Sequence, residues 1–114
     1  MRFAMIALLP AVVAACGSSF PPPNDEYSAA QVDVGRAESG GAPSVPDAKL
    51  HLQLAHEDLT KAKGMIDQDN RHAADLIAVA RVEAQLALSL AKQQLAEDQA
   101  KQAQAALSKT KGGQ

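Results

Sequence analysis

The sequence predicts an all-α protein: an Ala-rich antiparallel helical hairpin with a long C-terminal helix, and a short N-terminal helix after a disordered tether. The first reason is periodicity, because two stripes of apolar residues recur at alternating spacings of four and three, as in packed helices. The second is composition, since the 114 residues include no tryptophan, one tyrosine and two phenylalanines. A chain so poor in aromatic residues favours helices over a sheet.

The first arm of the hairpin is predicted to begin after Ser44 and Asp47, which form a capping-box pattern with Pro46 in the first turn. Its apolar stripe comprises Ala48, Leu52, Ala55, Leu59, Ala62 and Ile66. The polar segment from Asp67 to Asn70 is rich in residues that cap helix N-termini, so we expect the turn of the hairpin there.

The second arm carries a matching stripe and, beside it, a further apolar face. The helical pattern runs without Gly or Pro to about Lys109 and ends at Gly112-Gly113, a length of about 60 Å. The stripe comprises Ala73, Ile77, Ala80, Ala84, Ala87 and Ala91. The second face comprises Leu76, Val79, Val82, Leu86 and Leu90.

The two halves of this long helix differ in composition. Fourteen of the nineteen residues from 73 to 91 are Ala, Val, Ile or Leu, against seven of nineteen from 92 to 110. We therefore expect the first half to be covered on two sides and the second half to project into water. The first half does not read as a membrane span, because Asp75, Arg81 and Glu83 would each cost about 2.5–3.5 kcal/mol near the bilayer centre.

A short helix is predicted before the hairpin, from a capping-box pattern at Ser28 and Gln31 to about Glu38, and the segment Ser39 to Pro43 should end it. Alanine seams bury little apolar area per contact. In domains this small the hydrophobic core contributes only about 3–5 kcal/mol to the free energy of unfolding. The hairpin should therefore be marginal alone, with its second apolar face used by the short helix, a second copy or a partner.

The N-terminus is typical of a secretory signal: Arg2 is basic, Phe3 to Val13 is apolar, and Ala14 and Ala15 are small. The apolar run is shorter than the roughly 20 residues that span a bilayer. Ordinary signal cleavage would leave a soluble exported protein with a free thiol at Cys16, the only cysteine. An odd thiol is, however, a pairing hazard in an oxidising compartment.

The string Val13-Ala14-Ala15-Cys16 resembles a bacterial lipobox. That resemblance implies cleavage between Ala15 and Cys16, a diacylglycerol on the Cys16 thiol, and attachment to a membrane through it. Gly17, where an aspartate would mark inner-membrane retention, implies the periplasmic face of the Gram-negative outer membrane. The predicted organisation is a signal peptide over residues 1–15, a flexible Pro-rich tether over 16–27 and a helical domain over 28–111.

From Ala37 to Gln94 the chain resembles the bacterial family called domain of unknown function 4398. The resemblance implies a small, usually lipidated envelope protein with an Ala-rich helical hairpin and no assigned catalytic residue. Its motifs occur here in the family's order, as Gly41-Ala42-Pro43, Leu54-Ala55-His56-Glu57-Asp58-Leu59-Thr60-Lys61-Ala62-Lys63, Asp69-Asn70-Arg71-His72-Ala73 and Ala78-Val79-Ala80-Arg81-Val82-Glu83-Ala84-Gln85-Leu86-Ala87.

The residue patterns do not predict a catalytic, cofactor-binding or metal site. His51 and His56 are five residues apart, about 140° around a helix, so they cannot share a metal ion. The run from His56 to Thr60 starts like the zinc-protease motif but ends in threonine. We expect these two histidines and His72 to face solvent or cap a helix. Interspersed charges also give no basic patch for nucleic acid.

These observations predict a non-catalytic outer-membrane lipoprotein that presents a small periplasmic helical domain as a structural or protein-interaction module. The expected partner is an envelope protein or another copy, with no small-molecule substrate. Alternatives are a peptidoglycan-associated envelope tether, although Gln114 stands where a lysine would be joined to the wall, and a soluble periplasmic helical binding protein. The predicted interaction face comprises Leu95, Ala96, Ala100, Ala103 and Leu107.

Overall fold

The computed structural model describes residues 19–113, which form three α-helices and contain no strand. These are α1 (Asn24–Ser39), α2 (Pro46–Met65) and α3 (Asn70–Gly112), with a single 3₁₀ turn at Ala42–Ser44 between the first two. The predicted all-α hairpin with a long C-terminal and a short N-terminal helix is confirmed. The predicted signal peptide and the Cys16 anchor lie outside the described residues.

The two predicted stripes form the buried seam of the hairpin. Every member is buried except Ile66, which is half-buried just beyond the end of α2. Among residues 19–113, Ile77 is the one large side chain that is almost wholly enclosed, and most of the other core positions are alanines. A core lined by single methyl groups removes little apolar area per residue from water, so its stability depends on many small contacts.

Helix α1 supplies the second cover that the sequence predicts for the first half of α3. It runs beside α3 and also contacts α2, and its inner face is Ala30, Val34 and Ala37. The helices therefore pass up, down and up in chain order. This third helix adds the apolar area that a two-helix alanine seam lacks.

Helix α1 begins earlier than predicted, so residues 24–27 are helical rather than part of the tether. Pro23 is the N-cap, and Asp25 and Glu26 lie in the first turn, where acidic side chains favour the positive end of the helix dipole. Ser28 is not a cap. Its hydroxyl donates to the Asn24 carbonyl one turn back, at 3.0 Å, as serines inside helices commonly do.

The predicted cap of α2 was also wrong by one residue. Val45, not Ser44, occupies the N-cap position, and Pro46 lies in the first turn as predicted, where it is the first helical residue. The physical reason is the proline, because a residue that precedes proline is pushed out of the helical region. Val45 accordingly has an extended backbone, with φ −112° and ψ 117°.

The turn between α2 and α3 lies where the sequence predicts it and is held by its own side chains. Asp67 adopts a left-handed backbone with φ 71°, a conformation that aspartate tolerates better than most residues. Its amide donates to the Asn70 side-chain oxygen at 2.7 Å. Asp69 then caps α3 by accepting from the His72 amide at 3.0 Å.

Gly40, at the end of α1, lies against α3 where there is no space for a side chain. A Cβ there would meet the Leu88 side chain and stand 2.9 Å from the Arg36 carbonyl oxygen. Gly35, inside the same helix, has nothing within 4 Å of its Cβ position. The first glycine thus permits close approach of two helices, whereas the second has no such role.

We predict that Gly40→Ala lowers the free energy of unfolding by about 1–3 kcal/mol through overpacking. Gly35→Ala is the matched control and should raise it by about 0.5–1 kcal/mol, because alanine is the better helix former. Urea unfolding followed by circular dichroism, at equal protein concentration, measures both. Equal effects of the two substitutions would contradict the close approach at Gly40.

Candidate interaction surface

Polar side-chain contacts join each of the three pairs of helices. Arg81 of α3 donates to Asp33 of α1 at 2.9 Å. His56 of α2 meets Glu38 of α1 at 2.9 Å. The third pair joins His51 of α2 to Glu83 of α3 at 2.5 Å. Because alanine faces can slide past one another, these directional contacts fix the register of the three helices.

Asp33 is the most enclosed of these charged groups, with its side chain about 10% exposed. One carboxylate oxygen accepts from the Arg81 Nε at 2.9 Å and from the Gln85 amide at 3.4 Å. Arg36 lies 3.6 Å from the other oxygen, but its own side chain is largely in solvent. The carboxylate therefore depends mainly on Arg81 to offset the cost of its burial.

We predict that Arg81→Met lowers the free energy of unfolding by about 1.5–3 kcal/mol, since it removes a hydrogen bond to a buried charge. Arg36→Met is the matched control and should cost about 0.5 kcal/mol or less, as exposed ion pairs contribute little. Replacing both members, as Asp33→Leu with Arg81→Met, should recover part of the loss. Urea unfolding measures all three, and equal costs for the two arginines would refute this assignment.

The histidines take roles that the sequence analysis only partly predicted. His72 is exposed in the first turn of α3, next to its cap. His56 is exposed but pairs with Glu38, and His51 is half-buried in its pair with Glu83. These partners lie on other helices, so spacing along one helix gave no signal for them. Within residues 19–113, no three His, Cys, Asp or Glu side chains are grouped to hold a metal ion.

Phe20, in the middle of the predicted tether, is docked on the turn between α2 and α3. The Asn70 side-chain amide donates to the Phe20 carbonyl at 2.9 Å, and the Arg71 guanidinium lies over the Phe20 ring at 6.0 Å. Pro23 is buried. The chain that leads from Cys16 therefore joins the bundle at the end where α2 turns into α3.

The second half of α3 extends past its packing partners, as predicted. Ala91 is its last buried residue, and from Lys92 to Gly113 every side chain but that of Gln94 is exposed. This stretch continues for about 30 Å at 1.5 Å per residue. The described part of the chain contains no helix both long enough and apolar enough to cross a membrane.

The predicted interaction face divides into two parts. Leu95 lines a groove with Gly40, Val45 and Asp98, beside the connection between α1 and α2. The other four residues continue a different row of α3. We call this row the outer seam, and its ten exposed positions alternate at spacings of four and three: Asp75, Val79, Val82, Leu86, Ser89, Gln93, Ala96, Ala100, Ala103 and Leu107.

The sequence predicts the two ends of the outer seam as separate faces. Its composition groups Val79, Val82 and Leu86 with Leu76 and Leu90 as one apolar face. The structure separates them, because Leu76 and Leu90 pack against the core whereas the other three stay exposed. Following the same period across Lys92 would have connected this exposed part to Ala96 and the residues beyond it.

An Ala-lined bundle of three helices with one helix extending beyond it is the class of structure that these observations define. The profile of the family described as "Domain of unknown function (DUF4398)" matches residues 25–103. The chain therefore belongs to this family. Comparisons with curated proteins and with solved structures gave no match.

The family match extends beyond the segment that carried the resemblance on both sides. It includes most of α1, which the motif reading had left out, and it reaches Ala103 in the exposed half of α3. In this chain the matched segment thus covers nearly all of the three-helix bundle and part of the outer seam, and not the hairpin alone.

Proposed function

We propose that this protein is an outer-membrane lipoprotein, anchored through Cys16, whose helical domain is a non-catalytic structural or protein-interaction module in the periplasm. The observation that supports it most is the position of Phe20 on the turn between α2 and α3. Cys16 is four residues before Phe20, so a lipid on its thiol would lie within about 14 Å of this end of the bundle. The exposed half of α3 leaves from the opposite end.

The chemistry of the described side chains also favours an interaction module. Two carboxylates that are largely enclosed, Asp33 and Glu83, are each engaged with a cation or a histidine of a neighbouring helix. These polar side chains are engaged in contacts that hold the helices in register. The largest group of exposed apolar side chains lies instead along α3, and exposed apolar patches are typical of surfaces that bind other proteins.

Metabolic labelling with radioactive palmitate in a Gram-negative host tests the anchor. The full chain should incorporate label and sediment with the outer membrane, because several acyl chains hold a protein firmly to a bilayer. Cys16→Ser should abolish both. Ser18→Cys in the Cys16→Ser background is the matched control, since it restores a thiol two residues away from the lipobox and should stay unlabelled.

The opposite result would be equally clear. Recovery of the processed wild-type chain in the osmotic-shock fluid, with a free and reactive Cys16 thiol, would refute the anchor and support the soluble binding protein instead. Label incorporation with sedimentation in the inner-membrane fraction would refute only the assignment to the outer membrane.

A further inference from the structure

We propose that the outer seam binds the outer seam of a second copy of this chain, with the two α3 helices antiparallel and related by a two-fold axis. The exposed half of each α3 then becomes a fourth helix beside the three-helix bundle of the other copy. This inference rests on the proposed function as an interaction module and specifies its partner.

The outer seam has the length and the apolar character of a helix-pairing surface. From Asp75 to Leu107 it extends for about 48 Å. Its large side chains remain open to solvent, with Val79 49%, Val82 64%, Leu86 40% and Leu107 61% exposed. A sustained alternation of four and three is the period of a coiled-coil seam, which a second helix covers.

The order of side-chain sizes along the seam selects a second, antiparallel copy. When two seams are aligned head to tail about their midpoint, Val79 faces Ala103, Val82 faces Ala100 and Leu86 faces Ala96 of the other copy. The three large side chains from Val79 to Leu86 each meet a methyl group of the other copy, and Ser89 meets Gln93 at the centre. The outermost pair sets Leu107 beside Asp75. A two-fold contact needs this reciprocity, because residue i must meet j where j meets i.

A parallel pair does not fit the same seam. In register, it would set Leu86 against Leu86 and Ala100 against Ala100. The two helix axes would then have to be far apart along the first half of the seam and close together along the second half. Two nearly straight helices could not pack closely along both halves. The antiparallel pair instead keeps one large and one small side chain in each apolar layer from Val79 to Leu86. Large and small side chains that alternate across a seam pack without voids.

The charges at the two ends agree with the antiparallel alignment. Lys109 and Lys111 of one copy reach the level of residues 71–73 of the other. Around that level lie the carboxylates of Asp67 and Asp69 in the turn and of Asp75 in α3, against the cations of Arg71 and of Lys63 in the last turn of α2. A net negative end thus meets a net positive end at both ends of the pair, which favours this orientation over the parallel one.

The surface is also free to receive another helix. Helix α1 meets α3 through Arg81 and Gln85, and α2 meets it through Glu83. Val82 lies between these two rows on the helix circumference, on the side away from both neighbours. The exposed half of a second α3 can therefore lie along this side without displacing either helix, which gives a four-helix arrangement at each end.

Cysteine crosslinking in intact cells tests the pairing. All variants carry Cys16→Ser, so that only introduced thiols react and the result does not depend on acylation. One full-length chain carries Val82→Cys and a second, co-expressed and differently tagged, carries Ala100→Cys. We expect a mild oxidant to give a disulfide-linked dimer that contains both tags, since facing seam positions approach within the reach of a disulfide.

Two controls distinguish the antiparallel alignment from a parallel one and the outer seam from the opposite side of α3. Val82→Cys alone should give no dimer, because its two copies are about 27 Å apart along an antiparallel pair. Val82→Cys with Gln102→Cys should also give none, as residue 102 is on the opposite side of α3. Efficient crosslinking of Val82→Cys to itself would overturn the antiparallel alignment. No crosslink at Val82–Ala100, Leu86–Ala96 or Val79–Ala103 would overturn the self-pairing.

A charge placed in the seam gives a second readout. Leu86→Glu should reduce the Val79–Ala103 crosslink at least tenfold while helix content and the urea midpoint of the bundle at low concentration stay close to the parent. Gln102→Glu, on the side of α3 opposite the seam and exposed to solvent, is the control and should leave the crosslink unchanged. Palmitate labelling of the wild-type chain is scored separately, so loss of self-pairing with intact labelling rejects this inference and keeps the anchor.

Discussion

Close approach of three helices through alanine is the constraint on which this structure depends. Ala30 and Ala37 of α1, with the alanine stripes of α2 and α3, leave space for little more than methyl groups between the helices. Gly40 extends the same requirement to the end of α1, where even a methyl group does not fit. Such a core fixes the distance between the helices well. It fixes their relative position along the helix axis poorly, because alanine surfaces are smooth. The polar pairs supply that missing information, and Asp33 with Arg81 is the most enclosed of them.

Apolar contacts bring the helices together and polar contacts set their register, and this difference explains which features the sequence could predict. A stripe with a regular period is a local property, so both buried seams and the long α3 were read correctly from spacing alone. The pairs of His51 with Glu83 and of His56 with Glu38 join residues from different helices, and no local pattern marks them. The docking of Phe20 on Asn70, fifty positions apart along the chain, is equally invisible to spacing.

The errors at helix ends have a common cause, since each came from a capping pattern that the neighbouring prolines override. Pro46 forces Val45 into the cap position ahead of Ser44, and α1 starts directly after Pro23 and not at Ser28. The outer seam was missed for a different reason. Its composition changes at Lys92 although its period does not, and the change in composition concealed the continuity.

Because Phe20 is docked on the bundle, a lipid on Cys16 would be joined to the folded domain by a very short linker. Only residues 17–19 lie between Cys16 and Phe20, so under the proposed anchoring the end of the bundle at Asn70 would be restricted to a shallow layer next to the bilayer. Molecules held in such a layer meet by lateral diffusion, and their effective concentration rises well above the average for the compartment. If both proposals hold, an antiparallel pair anchored at each end would lie along the membrane plane. Confinement would then add to the affinity that the two seams provide by themselves.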